Sequence, residues 1–358
     1  MGAGLSGLSC AIILEQYGIK PAIFEKRSSV GDRFVNCEIL ISILNLPIKD
    51  PIKHLQNNFN IILQPRHRIK HISIFSKNYQ TKKSGNIGYT NLRGRTSNSF
   101  EKQLSHQVQS EIVFNSSKSY EELKKSYSHI VLATGDADYA NKLNNYQNQL
   151  TVTLKGSVIK GTFETTSVSA WFNNKLAPGG YGYLIPIDKN TANLVIGYPD
   201  NKNTKKLNSE YLWKNFLYEV SSLLKQRFEI LTHFEINNYI IGLCSRPVIK
   251  NSYNKTYFVG NNFGSIMPFL GFGQIEAILT GIYAAYDICG QGDYNKLTKS
   301  LKKSNQDSLI LRNSLEKLNN AKYDLLVQLL KFIPENILFQ TKLNYLKAIS
   351  KILKLYFR

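Results

Sequence analysis

The sequence predicts an α/β chain, α+β overall, in which a discontinuous parallel-sheet domain carries an inserted antiparallel sheet and leads into a C-terminal helical region. Three observations carry this. A glycine-rich turn opens an apolar helix at the N-terminus, the run HIVLATG (129–135) is β-branched and apolar and closes on glycine, and a block of alternating strands between 150 and about 199 separates these from a second apolar strand and helix at 256–288.

The first element is the most informative. In MGAGLSGLSCAIILEQYGIKPAIFEKRSSVGDR, glycines 2, 4 and 7 precede an apolar helix and a short strand, and Glu25 ends that strand eighteen residues beyond Gly7. This is the spacing of a dinucleotide-binding βαβ start. Gly2 permits a tight turn, Gly4 lets backbone approach a pyrophosphate, Gly7 lets the helix pack on the strand, and the helix N-terminus attracts phosphate. Glu25 is placed to accept hydrogen bonds from ribose hydroxyls, and Lys26 and Arg33 flank it in a basic run. A strand feeding Gly2 needs about five residues, yet only Met1 precedes it, so a start upstream of Met1 is expected. No basic segment precedes the helix, so it is not read as an export signal.

Residues 34–80 read as irregular pieces and short strands, HISIF (71–75) among them, and GYTNLRGRTSNSFEKQLSHQV as a polar loop entering a helix. SEIVFN (110–115) and HIVLATG return to strand. LTVTLKGSVIKGTFE, SVSAWF, GYGYLIPI and NLVIGYP then alternate with Asn, Gly, Pro and Asp breaks, as an antiparallel sheet does, followed by a helix at 207–226 and strand at 228–242. TYFVG and GQIEAILTGIYAAYDI resume the parallel-sheet domain. The expected division is residues 1–45, 80–149 and 243–294 for the nucleotide-binding domain, 46–79 and 150–242 for the inserted sheet, and 295–358 for the helical region. In that last part Leu343, Leu346, Ile349, Ile352 and Leu353 recur at helical spacing between lysines, read first as a docked helix and second as an interfacial one.

Composition narrows the function classes. The 358 residues, 42% of them hydrophobic, suit a globular chain of about two domains. Cys10, Cys37, Cys244 and Cys289 form no CxxC pair, which points to a reducing, cytoplasmic setting without a disulfide framework or zinc knuckle. No stretch reaches the roughly eighteen apolar residues of a membrane span. The formal charge of +20 favours polyanions, or is simply a lysine-rich solvated surface; no nucleic-acid-binding signature accompanies it. His67 and His71 sit among positive charges without a nearby acidic or cysteine ligand, so no metal site is expected.

Three distant segments together resemble the FAD-dependent oxidoreductases related to para-hydroxybenzoate hydroxylase: the N-terminal fingerprint, the LATG strand end at 132–135, and FVGNNFGSIMPFLGFGQIEAILTG at 258–281. APGGYGYLIPID is similar to the PxxYxWxFP motif of the geranylgeranyl reductase family, with Tyr183 for Trp and Ile185 for Phe. The resemblance implies a Rossmann-like FAD-binding domain, with Gly2, Gly4, Gly7, Glu25, Lys26, Arg33, Arg93, Gly135, Gly260, Asn261, Pro268, Gly271, Phe272 and Gly273 on the cofactor. Asn261 stands where that family usually has Asp, which keeps hydrogen bonding and loses a charge. It further implies reduction of C=C bonds in an isoprenoid chain with electrons from NAD(P)H or another donor. Cys37 and Tyr181 are then candidates for proton delivery, since an alkene takes a hydride at one carbon and a proton at the other, and Tyr181, Tyr183 and Pro186 would line the substrate. Monooxygenase or halogenase chemistry on the same fold, and a non-catalytic flavin- or lipid-binding role, are the alternatives. An unsaturated isoprenoid lipid and peripheral contact with an anionic membrane are the expected partners.

Overall fold

The computed structural model describes residues 2–32, 35–42 and 48–340. Helix α1 (Leu5–Gln16) follows the glycine turn and leads to β1 (Ile23–Phe24), which pairs in parallel with β5 (Ile112–Val113). On the other side of Gly2 lies a three-stranded sheet of β6 (His129–Leu132), β13 (Lys255–Phe258) and β12 (Val248–Lys250), with β13 parallel to β6. Gly2 stands between the two sets: its N–H donates to the Phe24 carbonyl at 2.7 Å, and a side chain on it would collide with the Ala133 carbonyl. Helix α7 (Gln274–Ile288) lies directly on α1, so close that Gly281 has no room for a Cβ against the Ser6 carbonyl. Leu8, Ile12 and Ile13 pack with Ile275, Ile278 and Ile282 to form the core of this half.

The other half is an eight-stranded sheet in the order β11-β7-β10-β9-β8-β3-β4-β2. Its members are β2 (Asn36–Ile41), β3 (His67–Ser76), β4 (Gln80–Arg93), β7 (Tyr146–Lys160), β8 (Ser167–Phe172), β9 (Tyr181–Pro186), β10 (Thr191–Pro199) and β11 (Glu229–Cys244). All neighbours are antiparallel except β3 and β8. Helix α6 (Ser209–Leu224) covers one face, placing Trp213, Phe216 and Val220 against Ile159, Trp171, Leu194 and Ile196. Alternation along β9 sends Leu184 to that core and Tyr183 and Ile185 to the opposite face. Gly182 is needed there, because a Cβ would reach the Phe216 ring at 2.5 Å.

Two expectations change. Residues 36–41 and 80–93, expected with the nucleotide-binding domain, are strands of the large sheet, β2 pairing with β4 from Asn36 opposite Arg93 to Ile41 opposite Gly88. GYTNLRG, read as a polar loop, is accordingly the buried end of a fourteen-residue strand; its Thr and Asn side chains are polar but fully covered. The short helices α2 (Pro51–Phe59), α3 (Phe100–Ser105), α4 (Tyr120–Ser126) and α5 (Asp138–Lys142) fill the connections. The chain closes with α8 (Tyr294–Leu315), α9 (Asn320–Phe332) and α10 (Glu335–Gln340). The amphipathic segment beyond 340 lies outside the described residues, as does Arg33.

Candidate functional site

The N-terminal turn is built from backbone. A side chain on Gly7 would collide with the Gly2 carbonyl, whereas an ideal Cβ on Gly4 meets nothing within 4 Å among the described residues. Gly2 and Gly7 thus close the turn, and Gly4 faces open space. No side chain caps the α1 N-terminus and its first turn carries no acid, so its unpaired N–H groups point outward at a place suited to an anion. Glu25 follows β1, where its carboxylate accepts the N–H of Ala3 at 2.8 Å through one oxygen and that of Arg27 at 2.9 Å through the other. Each oxygen keeps a second acceptor position. Lys26 is exposed beside it.

Distant segments converge here. Asn261 Nδ2 donates to the Gly135 carbonyl at 2.8 Å and to the Tyr239 hydroxyl at 2.7 Å. Asn262 Nδ2 donates to Thr134 Oγ1 at 2.7 Å. Gly260, at φ +58°, donates its N–H to Thr280 Oγ1 and lies so near Ser6 Oγ that a Cβ would stand 2.6 Å from it. The strand end at 133–135, the turn at 260–262 and the start of α1 therefore form one continuous face.

The loop from Gly264 to Gly273 extends that face toward the large sheet. It is pinched by the Met267 N–H to the Phe272 carbonyl at 2.6 Å and the Gly271 N–H to the Met267 carbonyl at 2.9 Å, with Pro268 buried inside. Gly271 has φ +74° and an open Cβ direction, while Gly273 sits tight against Ser265 and Ile266. No side chain caps α7 after Gly273.

Across from the loop stands an apolar wall. Cys37, Ile41, Ile69, Leu92, Val168 and Ile185 are buried together, with Tyr183 and Phe272 packed against them. Tyr181 donates its hydroxyl to the Leu270 carbonyl at 2.6 Å, tying β9 to the glycine loop, and its ring lies 5.9 Å from Tyr183 and 5.7 Å from Phe172. Cys37 directs its thiol at the Pro186 carbonyl, 3.7 Å away. Burial pushes the Cys37 thiol well up, with Glu38 adding to it, and burial likewise raises both tyrosines. All three groups hold their protons at neutral pH.

Arg93, which the resemblance put on the cofactor, is ion-paired within the protein. It forms ion pairs with Glu101 of α3 at 2.8 Å and with Glu38 of β2 at 3.1 Å. Burial opposes its charge, but the Glu101 and Glu38 carboxylates outweigh that and hold it still more firmly protonated. The guanidinium is thus committed to fastening β4 to α3 and β2. His67 and His71 turn to the Ile187 carbonyl and to Ser84. Sequence reasoning missed Tyr239, Glu38 and Glu101, whose roles come from contacts across 8 to 55 positions of chain. It also missed Glu276, whose own signal was present: an acid in the first turn of a largely apolar helix.

An open Gly4, open Gly135 and Gly271, a carboxylate at the end of β1 and two uncapped helix starts form a cradle that fits an extended dinucleotide. Residues 1–37 match the family of NAD(P)-binding Rossmann-like domains. Over nearly its whole length the chain is similar to a geranylgeranyl bacteriochlorophyll reductase-like protein from Thermoplasma acidophilum, at 16% identity, with 98% of this chain and 97% of that one covered and a TM-score of 0.71. It is also similar to a flavoprotein/dehydrogenase from Cytophaga hutchinsonii (12% identity, 100% and 98% covered, TM-score 0.64) and to a flavin-dependent brominase (14% identity, 99% and 97% covered, TM-score 0.66). The chain thus shares, over nearly its whole length, the fold of these three proteins: a Rossmann-like domain joined to a large sheet and closed by C-terminal helices.

Proposed function

We propose that this protein is an FAD-dependent oxidoreductase that reduces C=C bonds in an isoprenoid chain. The observation that carries the proposal is the convergence of the glycine turn, the 133–135 strand end and the 260–273 loop on one face, opposite a wall of Cys37, Tyr181, Tyr183 and Ile185. Gly2, Gly4 and Gly7 with the α1 N-terminus would hold the pyrophosphate and Glu25 the ribose, with Lys26 beside it. Gly135, Gly260, Asn261, Pro268, Gly271, Phe272 and Gly273 would follow the chain toward the ring. When bound, FAD supplies a hydride, received from NAD(P)H or another donor.

The wall does the remaining work. Its buried aliphatic and aromatic side chains exclude water and would receive an apolar chain, with Tyr181, Tyr183 and Pro186 along it. Proton delivery to the second alkene carbon would fall to a wall group that is protonated at neutral pH, as Cys37 and Tyr181 both are. Arg93 acts from behind, holding β2 and so the position of Cys37. Among the described residues no helix is long and apolar enough to cross a membrane, so delivery of a lipid would rely on peripheral contact through the basic surface.

The test is reconstitution with FAD, followed by anaerobic incubation with NADPH, NADH or dithionite and a geranylgeranyl lipid, read by mass spectrometry. Addition of two hydrogens per double bond supports the proposal. Oxygenated or brominated product formed only in air would replace it with the chemistry of the monooxygenase or halogenase type. Absence of flavin absorbance after reconstitution would overturn it. Cys37→Ala should slow alkene reduction and leave flavin content unchanged; an unaltered rate would pass the proton role to Tyr181.

A further inference from the structure

A second site lies on the outer side of the glycine loop. Between α7, α8 and the start of α2 runs a groove of about 1390 Å³, larger than the ~300–1,000 Å³ usual for a drug-sized ligand. Its floor is apolar, formed by Val248, Ile275, Leu279, Tyr283 and Leu301, and one end is closed by Met267, Phe269, Leu270 and Phe272 of the loop. Phe272, assigned above to the cofactor side, also lines the groove; none of the residues around Gly4 and Glu25 does. The loop separates it from the wall, because Leu270 is the residue whose carbonyl Tyr181 grips from the other side.

The rim is cationic. Lys296, Lys299 and Lys303 recur on one face of α8, and Lys302 and Arg246 stand at its edge. Lys303 is paired with Asp307 at 3.0 Å and Lys302 donates to the Ser245 carbonyl at 2.9 Å. Lys296, Lys299 and Arg246 are exposed and have no carboxylate within ion-pair distance among the described residues. The floor holds one more group, the Glu276 carboxyl, 8% exposed and without a cationic partner among the described residues. Burial holds it up to about 7. The groups around the groove that can titrate with it are His54 of α2, Tyr283 of α7, Asp307 and the α8 lysines, and Arg246 adds fixed charge.

We propose that this groove binds a long-chain organic anion, its chain on the apolar floor and its head against Lys296, Lys299 and Arg246. An apolar floor and an exposed cluster of cations each favour such a ligand, and neither favours a neutral polar molecule. A ligand seated there touches the outer side of the loop that Tyr181 grips from within. The site stands on the groove alone and does not depend on the flavin reading.

The experiment is calorimetric titration of the purified protein with decanesulfonate below its micelle concentration, against decanol and inorganic sulfate, with Lys296→Glu/Lys299→Glu as the variant. Both lysines are exposed, so the variant should fold, which circular dichroism checks. Decanesulfonate should bind at least tenfold tighter than decanol or sulfate, and at least tenfold more weakly to the variant. A second variant, Leu301→Gln, should weaken decanesulfonate and leave any sulfate binding unchanged. Equal binding of sulfate and decanesulfonate would reduce the groove to a charged patch and overturn the proposal, as would an unaffected lysine variant. Sedimentation with anionic vesicles but no binding of the monomeric probe would overturn it in favour of a membrane-facing surface. FAD absorbance, measured separately, reports on the flavin reading and cannot change these outcomes.

Discussion

The two surfaces that meet at the 264–273 loop are made in opposite ways. The cradle around α1 is backbone: its shape comes from glycines that leave room, either for a neighbouring carbonyl, as at Gly2 and Gly7, or for nothing among the described residues, as at Gly4. The wall of the large sheet is side chain: Cys37, Tyr183 and Ile185 pack together, with Tyr181 beside Tyr183, only because β2, β4 and β9 lie in particular registers. A backbone site is set by local geometry, so one added methyl can either break the fold or block the ligand. A side-chain site is set by long-range pairing, so single substitutions there alter chemistry more than architecture.

The sharpest contrast is within the cradle itself. Gly7→Val forces α1 off the Gly2 carbonyl and should cost roughly 4–5 kcal/mol, seen as a large loss of Tm. Gly4→Val enters open space and should leave Tm nearly unchanged while abolishing FAD binding. Equal destabilisation by both would mean that Gly4 is a packing residue and not a ligand-facing one.

Arg93 tests whether wall and cradle are mechanically joined. Arg93→Ala leaves Glu101, 3% exposed, without the Arg93 charge and takes one ion pair from Glu38, and should destabilise by about 3–5 kcal/mol in urea unfolding. Arg93→Lys should recover only part of this, because one ammonium cannot reproduce the forked contact with two carboxylates. Full rescue by lysine would show that charge alone matters there.

Glu276 is a charge problem that neither surface solves. Its carboxyl ionises at about 7 in the folded chain against an ordinary 4.5. The folded state therefore holds a proton that the unfolded state has released, and the stability this contributes is complete below about pH 4.5 and lost as pH rises through 7. Glu276→Gln removes that slope. It should match the parent near pH 4.5 and exceed it by up to about 3 kcal/mol at pH 8. Parallel pH–stability curves for the two proteins would place the burial of Glu276 in doubt.

The smallest effect is expected at Tyr181. Tyr181→Phe loses one hydrogen bond to the Leu270 carbonyl and should cost about 1 kcal/mol. Its informative readout is the rate of alkene reduction in the Cys37→Ala background. A further fall would show two proton routes, and no change would leave the tyrosine as the link between sheet and loop.

What the sequence determined by itself was everything that depends on a few neighbouring residues. Glycines 2, 4 and 7 before an apolar helix, the acid ending β1 and the alternation of β7 to β10 were all legible, because turn sterics and strand period act over fewer than ten positions. The tertiary structure alone decided that residues 36–41 and 80–93 join the large sheet, that Arg93 turns to Glu38 and Glu101, and that Asn261 ties the 260–262 turn to Gly135 and Tyr239. It also made the groove over α7, from segments that begin at Ile48 and end at Ser308. Each of these depends on which distant strand or helix supplies the partner. A strand's pattern states which face is apolar but not which neighbour it will pair with, so strand order and ion-pair choice are settled only when the whole chain packs.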